Sequence, residues 1–195
     1  PPEAGTVTIG GVKVSDITDR ERRTCIGCVE QHFSRVPGTV LEQITLGDPQ
    51  ITGEMARNAA KLAGIDDAIQ ALPEGYDTVC TDGMFSQGEW QLLSIARAAV
   101  ADTPAMILDE ATSALDTETE KQIQEILSKL IAGRTTIAIA HRLSTLRNAT
   151  RIVVLDSKGV AEEGTHEELM RNEQGIYYGL VMAQRKMSSV KGKKN

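Results

Sequence analysis

Ala105-Met106-Ile107-Leu108-Asp109-Glu110 decides the fold: four apolar residues long enough for a short buried strand, closed by two adjacent carboxylates. Downstream, Thr117 to Ile131 sets Ile123, Ile126, Leu127 and Leu130 on one side of a helix. Thr135 to Ala140 is a second apolar run and ends at His141; Arg151 to Leu155 is a third, and Ser157-Lys158-Gly159 turns into a strand over 160–163. Strands separated by helices of this length predict an α/β fold, a mostly parallel core sheet flanked by helices. Ligands of such sheets gather beyond the carboxyl ends of the strands, so Asp109, Glu110 and His141 are expected at one edge.

Upstream the pattern is helical. From about Thr39 to Ala101 the chain reads as a helical insertion punctuated by Pro49, Gly53, Gly64 and Pro73-Glu74-Gly75. Thr52 caps an amphipathic helix carrying Met55, Ala56, Ala59, Ala60, Leu62 and Ala63, and Gln87 to Val100 forms another. Residues 6–9 and 12–14 flank Gly10-Gly11 as short β elements, and residues 24–30 predict a further strand.

Composition narrows the function. The 195 residues are 41% hydrophobic and 25% charged, which suits a folded globular chain. No stretch approaches the ~20 apolar residues of a membrane-spanning helix, and Pro1-Pro2-Glu3-Ala4-Gly5 does not read as a signal peptide. Formal charge is −6; Arg185 to Asn195 holds five cations and no acid, so the other residues carry −11. An acidic body argues against nucleic acid as a partner, and the basic tail is expected to be disordered. Aromatics at 3% offer no stacking platform for single strands. Cys25, Cys28 and Cys80 make no even disulfide framework and point to a reducing compartment. Cys25-x-x-Cys28 with His32 falls short of the four ligands of structural zinc, and residues 24–29 read instead as a buried strand in which cysteine serves as a small hydrophobe.

The chemistry concentrates at Asp109-Glu110. Beside a phosphate, one carboxylate of such a pair can hold Mg²⁺, generally through water, and the other can accept a proton from an attacking water. A Ser-x-Gly at a helix start, here Ser86-Gln87-Gly88, exposes backbone N–H groups and the positive end of the helix dipole to an anion, although Ser86 is equally an N-cap.

With Phe85-Ser86-Gln87-Gly88-Glu89-Trp90-Gln91 upstream of Asp109-Glu110, Ala111-Thr112-Ser113-Ala114-Leu115-Asp116 behind it and Ala140-His141-Arg142 further on, the sequence resembles the nucleotide-binding domain of ABC transporters of the exporter type, from about residue 5 to 184. The resemblance identifies Ser86-Gln87-Gly88-Glu89 as the signature motif, Asp109-Glu110 as Walker B, Ser113 to Asp116 as the D-loop, His141 as the switch histidine and Gln31 as the Q-loop glutamine. Gly38 to Ile44, Leu72 to Thr78 and Gly164 to Leu169 match exporter phrasing too. It implies ATP and Mg²⁺ as ligands: Asp109 and Gln31 on the metal, Glu110 as base or water-positioner, His141 on the γ-phosphate. Ser86, Gln87, Gly88 and Glu89 would meet a nucleotide held by a second cassette, identical or not, with Asp116 at the seam. It also implies a transmembrane partner docked on the insertion, at the cytoplasmic face of a membrane.

Three departures accompany the match. The signature normally reads Gly-Gly-Gln where this chain has Gln87-Gly88-Glu89, and Glu89 brings an anion toward phosphates. The segment Cys80 to Met84, which includes Asp82, is about two residues short of the exporter pattern. No Gly-x-x-x-x-Gly-Lys-Ser/Thr occurs, and that loop wraps phosphates in backbone N–H groups. The chain is therefore expected to open past the phosphate loop and, by itself, to bind ATP weakly and hydrolyse it negligibly. The alternative is a non-catalytic cassette that pairs with a competent partner.

Overall fold

A computed structural model describes residues 4–30, 33–109, 117–139 and 146–191. Two compact units divide the chain at Ile139 and Ala140.

The first unit opens with a hairpin, β1 (Thr8–Ile9) against β2 (Val12–Lys13), turned by Gly10 and Gly11. Both glycines have positive φ, 57° and 83°, as a tight two-residue hairpin requires. A 3₁₀ turn over Val14–Asp16 leads to α1 (Asp19–Cys25) and then β3 (Ile26–Val29). The strand expected over 24–30 thus starts late, because Thr24 and Cys25 complete α1. That helix is nucleated by a capping box, the Thr18 N–H donating to the Glu21 carboxylate at 2.9 Å and the Glu21 N–H to the Thr18 hydroxyl at 3.3 Å. Cys28 is also not the buried hydrophobe expected: it lies on the exposed face of β3, while Gly27 and Val29 turn inward.

The core sheet is parallel, in the order β3–β4–β5, with β4 at Ala105–Asp109 and β5 at Thr135–Ile139. Val29 pairs with Leu108, and Asp109 with Ile139. Met106 and Leu108 bury themselves on the helical side, whereas Ile137 and Ile139 of β5 are 63% and 54% exposed.

Between β3 and β4 lies the helical insertion: α2 (Val40–Thr45), α3 (Gly53–Ala63), α4 (Asp66–Gln70), a 3₁₀ turn at Gly75–Asp77 and α5 (Gln87–Val100). Ala56, Ala59, Ala60 and Ala63 give α3 a buried face of small side chains. They let it approach α5, whose Leu92, Leu93, Ile95 and Ala96 are buried in the same core. Helix α6 (Thr117–Leu130) adds Ile123, Ile126, Leu127 and Leu130, the four residues its periodicity singles out.

The second unit is an antiparallel hairpin, β6 (Ile152–Asp156) and β7 (Gly159–Gly164), with α7 (His166–Met170) and α8 (Ile176–Lys191). Its core is Ile152, Val154, Leu169, Tyr177 and Val181. The Glu162 carboxylate accepts from the N–H groups of Ile176 and Tyr177, both at 2.9 Å, capping the start of α8. The tail expected to be disordered from Arg185 is helical as far as Lys191, since nothing before Gly192 breaks a helix.

Candidate functional site

Three strand ends define one edge of the core sheet. β3, β4 and β5 run parallel and in register and stop at Val29, Asp109 and Ile139. Asp109 is the last residue of β4 and is half-buried. Gln31, Glu110 and His141 follow those ends by two, one and two residues and lie, like Asp116, outside the described residues. Asp109 supplies hard oxygen, and among the described residues no three His, Cys, Asp or Glu side chains cluster. A carboxylate oxygen at a strand end is the kind of donor Mg²⁺ takes together with phosphates and water.

The start of α5 carries the second part of the site. The Ser86 hydroxyl accepts the Glu89 N–H at 3.3 Å, and the Ser86 N–H donates to the Glu89 carboxylate at 2.7 Å. Glu89 is therefore turned back on its own helix. Its negative charge lies at the positive end of the α5 dipole, which stabilises it there. Boxes of the same kind open α1, α2 and α7, through Thr18 and Glu21, Thr39 and Glu42, and Thr165 and Glu168. Gln87 is exposed and Gly88 half-buried. A Cβ on Gly88 would stand 2.9 Å from Cγ2 of Thr119, so the missing side chain lets the first turn of α5 lie against the first turn of α6.

An aromatic cluster adjoins Ser86. Trp90 stacks on Phe33 with ring centres 5.2 Å apart and meets Phe85 edge-on at 5.0 Å. The Arg35 guanidinium lies over the Trp90 ring and pairs with Asp82. Phe33, Arg35, Asp82, Gln87, Trp90 and Gln91 line a cavity of about 390 Å³. On the far side of the 33–36 segment, Ser34, Val36, Leu46, Ile51, Met55 and Arg97 take part in lining a larger groove of about 500 Å³. Arg97 donates to the carbonyls of Gln43 and Ser34, and burial pulls its guanidinium down to about 10 against the opposing pull of Glu30.

Sequence reasoning missed Phe33, Gln43, Trp90 and Arg97. Scarcity was the available signal for Phe33 and Trp90: the only tryptophan and both phenylalanines of the chain meet here. Gln43 and Arg97 gave none beyond a polar residue among apolar neighbours.

The sequence model of the ABC transporter family matches residues 1–113, more than half of the chain. The chain belongs to the ABC transporter family. It is 45% identical over 173 residues to an ATP-dependent lipid A-core flippase of Desulfotalea psychrophila, covering 88% of this chain and 30% of that protein. It is 42% identical over 185 residues to P-glycoprotein 14 of Caenorhabditis elegans, covering 94% and 14%. A bacterial Atm1-family ABC exporter solved with ATP bound superimposes with a TM-score of 0.81 at 37% identity, over 94% of this chain and 32% of that one. The chain thus spans about a third or less of the length of these relatives. Its fold is that of an ABC exporter cassette, a parallel sheet with a helical insertion.

Proposed function

We propose that this chain is the ATP-hydrolysing part of an ABC exporter. The observation that carries the reading is the set of parallel strands ending together at Val29, Asp109 and Ile139, with Gln31, Glu110 and His141 one or two residues beyond. Mg²⁺, when bound with the nucleotide, offsets the charge that develops on the transferred phosphoryl group. Asp109 and Gln31 would hold the metal, directly or through water. Glu110 orients the attacking water and takes its proton, and His141 donates to the terminal phosphate. Gln87 and Gly88 offer backbone N–H groups, and Ser86 its hydroxyl, to the nucleotide of a second cassette, and Asp116 lies at the seam.

The groove lined by Leu46, Ile51 and Met55 receives a transmembrane partner, and the chain works at the cytoplasmic face of the membrane. The dimer is homo- or heteromeric, and nucleic acid has no part in it. No described helix is long and apolar enough to cross a membrane. Glu89 favours a second reading, a cassette that lends its surface to a competent partner without hydrolysing ATP itself.

Because these 195 residues contain no phosphate loop, they bind ATP weakly and turn it over negligibly on their own. Calorimetry with MgATP tests this on the chain alone and on the chain extended by the phosphate-loop segment of the Desulfotalea psychrophila flippase. Micromolar binding only after extension is expected. Micromolar binding by the chain alone contradicts the inactivity, and no binding after extension contradicts the nucleotide reading.

A further inference from the structure

The extended segment 33–36 has two faces. Phe33 and Arg35 line the cavity beside Ser86 and Trp90, whereas Ser34 and Val36 line the larger groove. A one-residue slip would exchange the two sets, as in any extended chain. What fixes the register is a buried amide. Gln43 of α2 is fully buried; its Oε1 accepts the Val36 N–H at 3.0 Å and its Nε2 donates to the Val36 carbonyl at 2.6 Å. The side chain thus pairs with Val36 as a neighbouring strand would. The Gln43 carbonyl in turn accepts from Arg97 Nε at 2.7 Å, and Arg97 Nη1 donates to the Ser34 carbonyl at 2.8 Å, its guanidinium lying 4.0 Å from the Phe33 ring centre. At the other end, Gln91 Nε2 donates to the Glu30 carbonyl at 3.3 Å.

We propose that Gln43 is a positioning residue that sets the register of segment 33–36 and, through Phe33 and Arg35, the seating of Trp90 one turn into α5. The hydrogen bonds of Gln43 run to Val36, Thr39 and Arg97 and not to Trp90, so an effect on Trp90 must travel through the segment. The bearing on phosphate recognition rests on the reading of Ser86 to Glu89 given above. The register itself does not, and its test contains no nucleotide, so either can fail alone.

Trp90 is the sole tryptophan, which makes its emission a local reporter. Gln43→Leu, measured well below its unfolding transition, is expected to shift Trp90 emission to the red and to increase its quenching by acrylamide. Gln43→Glu, which keeps an acceptor for the Val36 N–H and loses the donor to the Val36 carbonyl, is expected to give a smaller shift in the same direction; it carries the test if Gln43→Leu does not fold. A folded variant with parental emission and quenching overturns the proposal, even if its unfolding midpoint falls, because that outcome assigns Gln43 to stability alone.

Discussion

A methyl group on Gly88 has no room, since it would stand 2.9 Å from Cγ2 of Thr119. Gly88→Ala is therefore expected to cost about 1–3 kcal/mol of overpacking, of which the better helix propensity of alanine returns at most ~1 kcal/mol. Thr119→Ser removes the obstructing carbon and should restore most of the loss. Urea unfolding of the single and double variants measures both, and a Gly88→Ala loss untouched by Thr119→Ser would contradict the contact. At Glu89 the expectation differs. Gln can accept the same Ser86 N–H, so Glu89→Gln should lose only the charge–dipole contribution, ~0.3–1 kcal/mol, whereas Ser86→Ala should lose ~1 kcal/mol of capping. Thermal unfolding compares them, and a Glu89→Gln variant as stable as its parent would deny the Glu89 charge its place in the cap. The Glu89 departure was plain in the sequence, but its direction was not. A carboxylate three residues after a serine can cap the helix or face outward, and the 2.7 Å bond to Ser86 decides between them.

Among the elements, α3 and α5 were legible because their apolar spacing is helical and Thr52 and Ser86 cap them. Helix α1 was not. Its charged run, Arg20 to Arg23, shows no apolar face, and the apolar residues that follow over 24–30 read as a strand, although Thr18-x-x-Glu21 was the visible start signal. The α3–α5 packing predicts that Leu93→Ala, at a fully buried position, costs about 2–5 kcal/mol in chemical denaturation. A cost under 1 kcal/mol would mean that the two helices are not joined there. The caps of α1 and α7 carry a pH signature. The Thr18 side chain and then its N–H hold the Glu21 carboxylate below its ordinary value of 4.5. For Glu168 the Thr165 N–H is the larger cause and the Thr165 hydroxyl the second. A carboxylate lowered in the folded state stabilises it above 4.5 and loses that contribution as pH falls toward the folded value. Amide exchange at Thr18 and Thr165, whose N–H groups donate to these carboxylates, should accordingly lose protection on acidification below 4.5, relative to matched controls. Thr18→Ala and Thr165→Ala, which keep the N–H and lose the hydroxyl, should weaken that pH dependence, and Glu21→Gln and Glu168→Gln should abolish it; protection that ignores pH would contradict both caps.

At the scale of the molecule, a mostly parallel sheet flanked by helices follows from the alternation of apolar runs and helices, whereas the strand order β3–β4–β5 does not. Side-chain partners across long sequence separations do not, which is why the pairing of Arg35 with Asp82 and the clamp of Gln43 on Val36 were invisible beforehand. No periodicity records which polar side chain reaches which carbonyl. The central claim is that the tip of β4 presents a carboxylate pair to the terminal phosphate of ATP, and MgATP turnover by the chain extended with the flippase phosphate-loop segment tests it most directly. Glu110→Gln should lower turnover at least ~10²-fold while leaving MgATP binding in place. Undiminished turnover by that variant would contradict the claim.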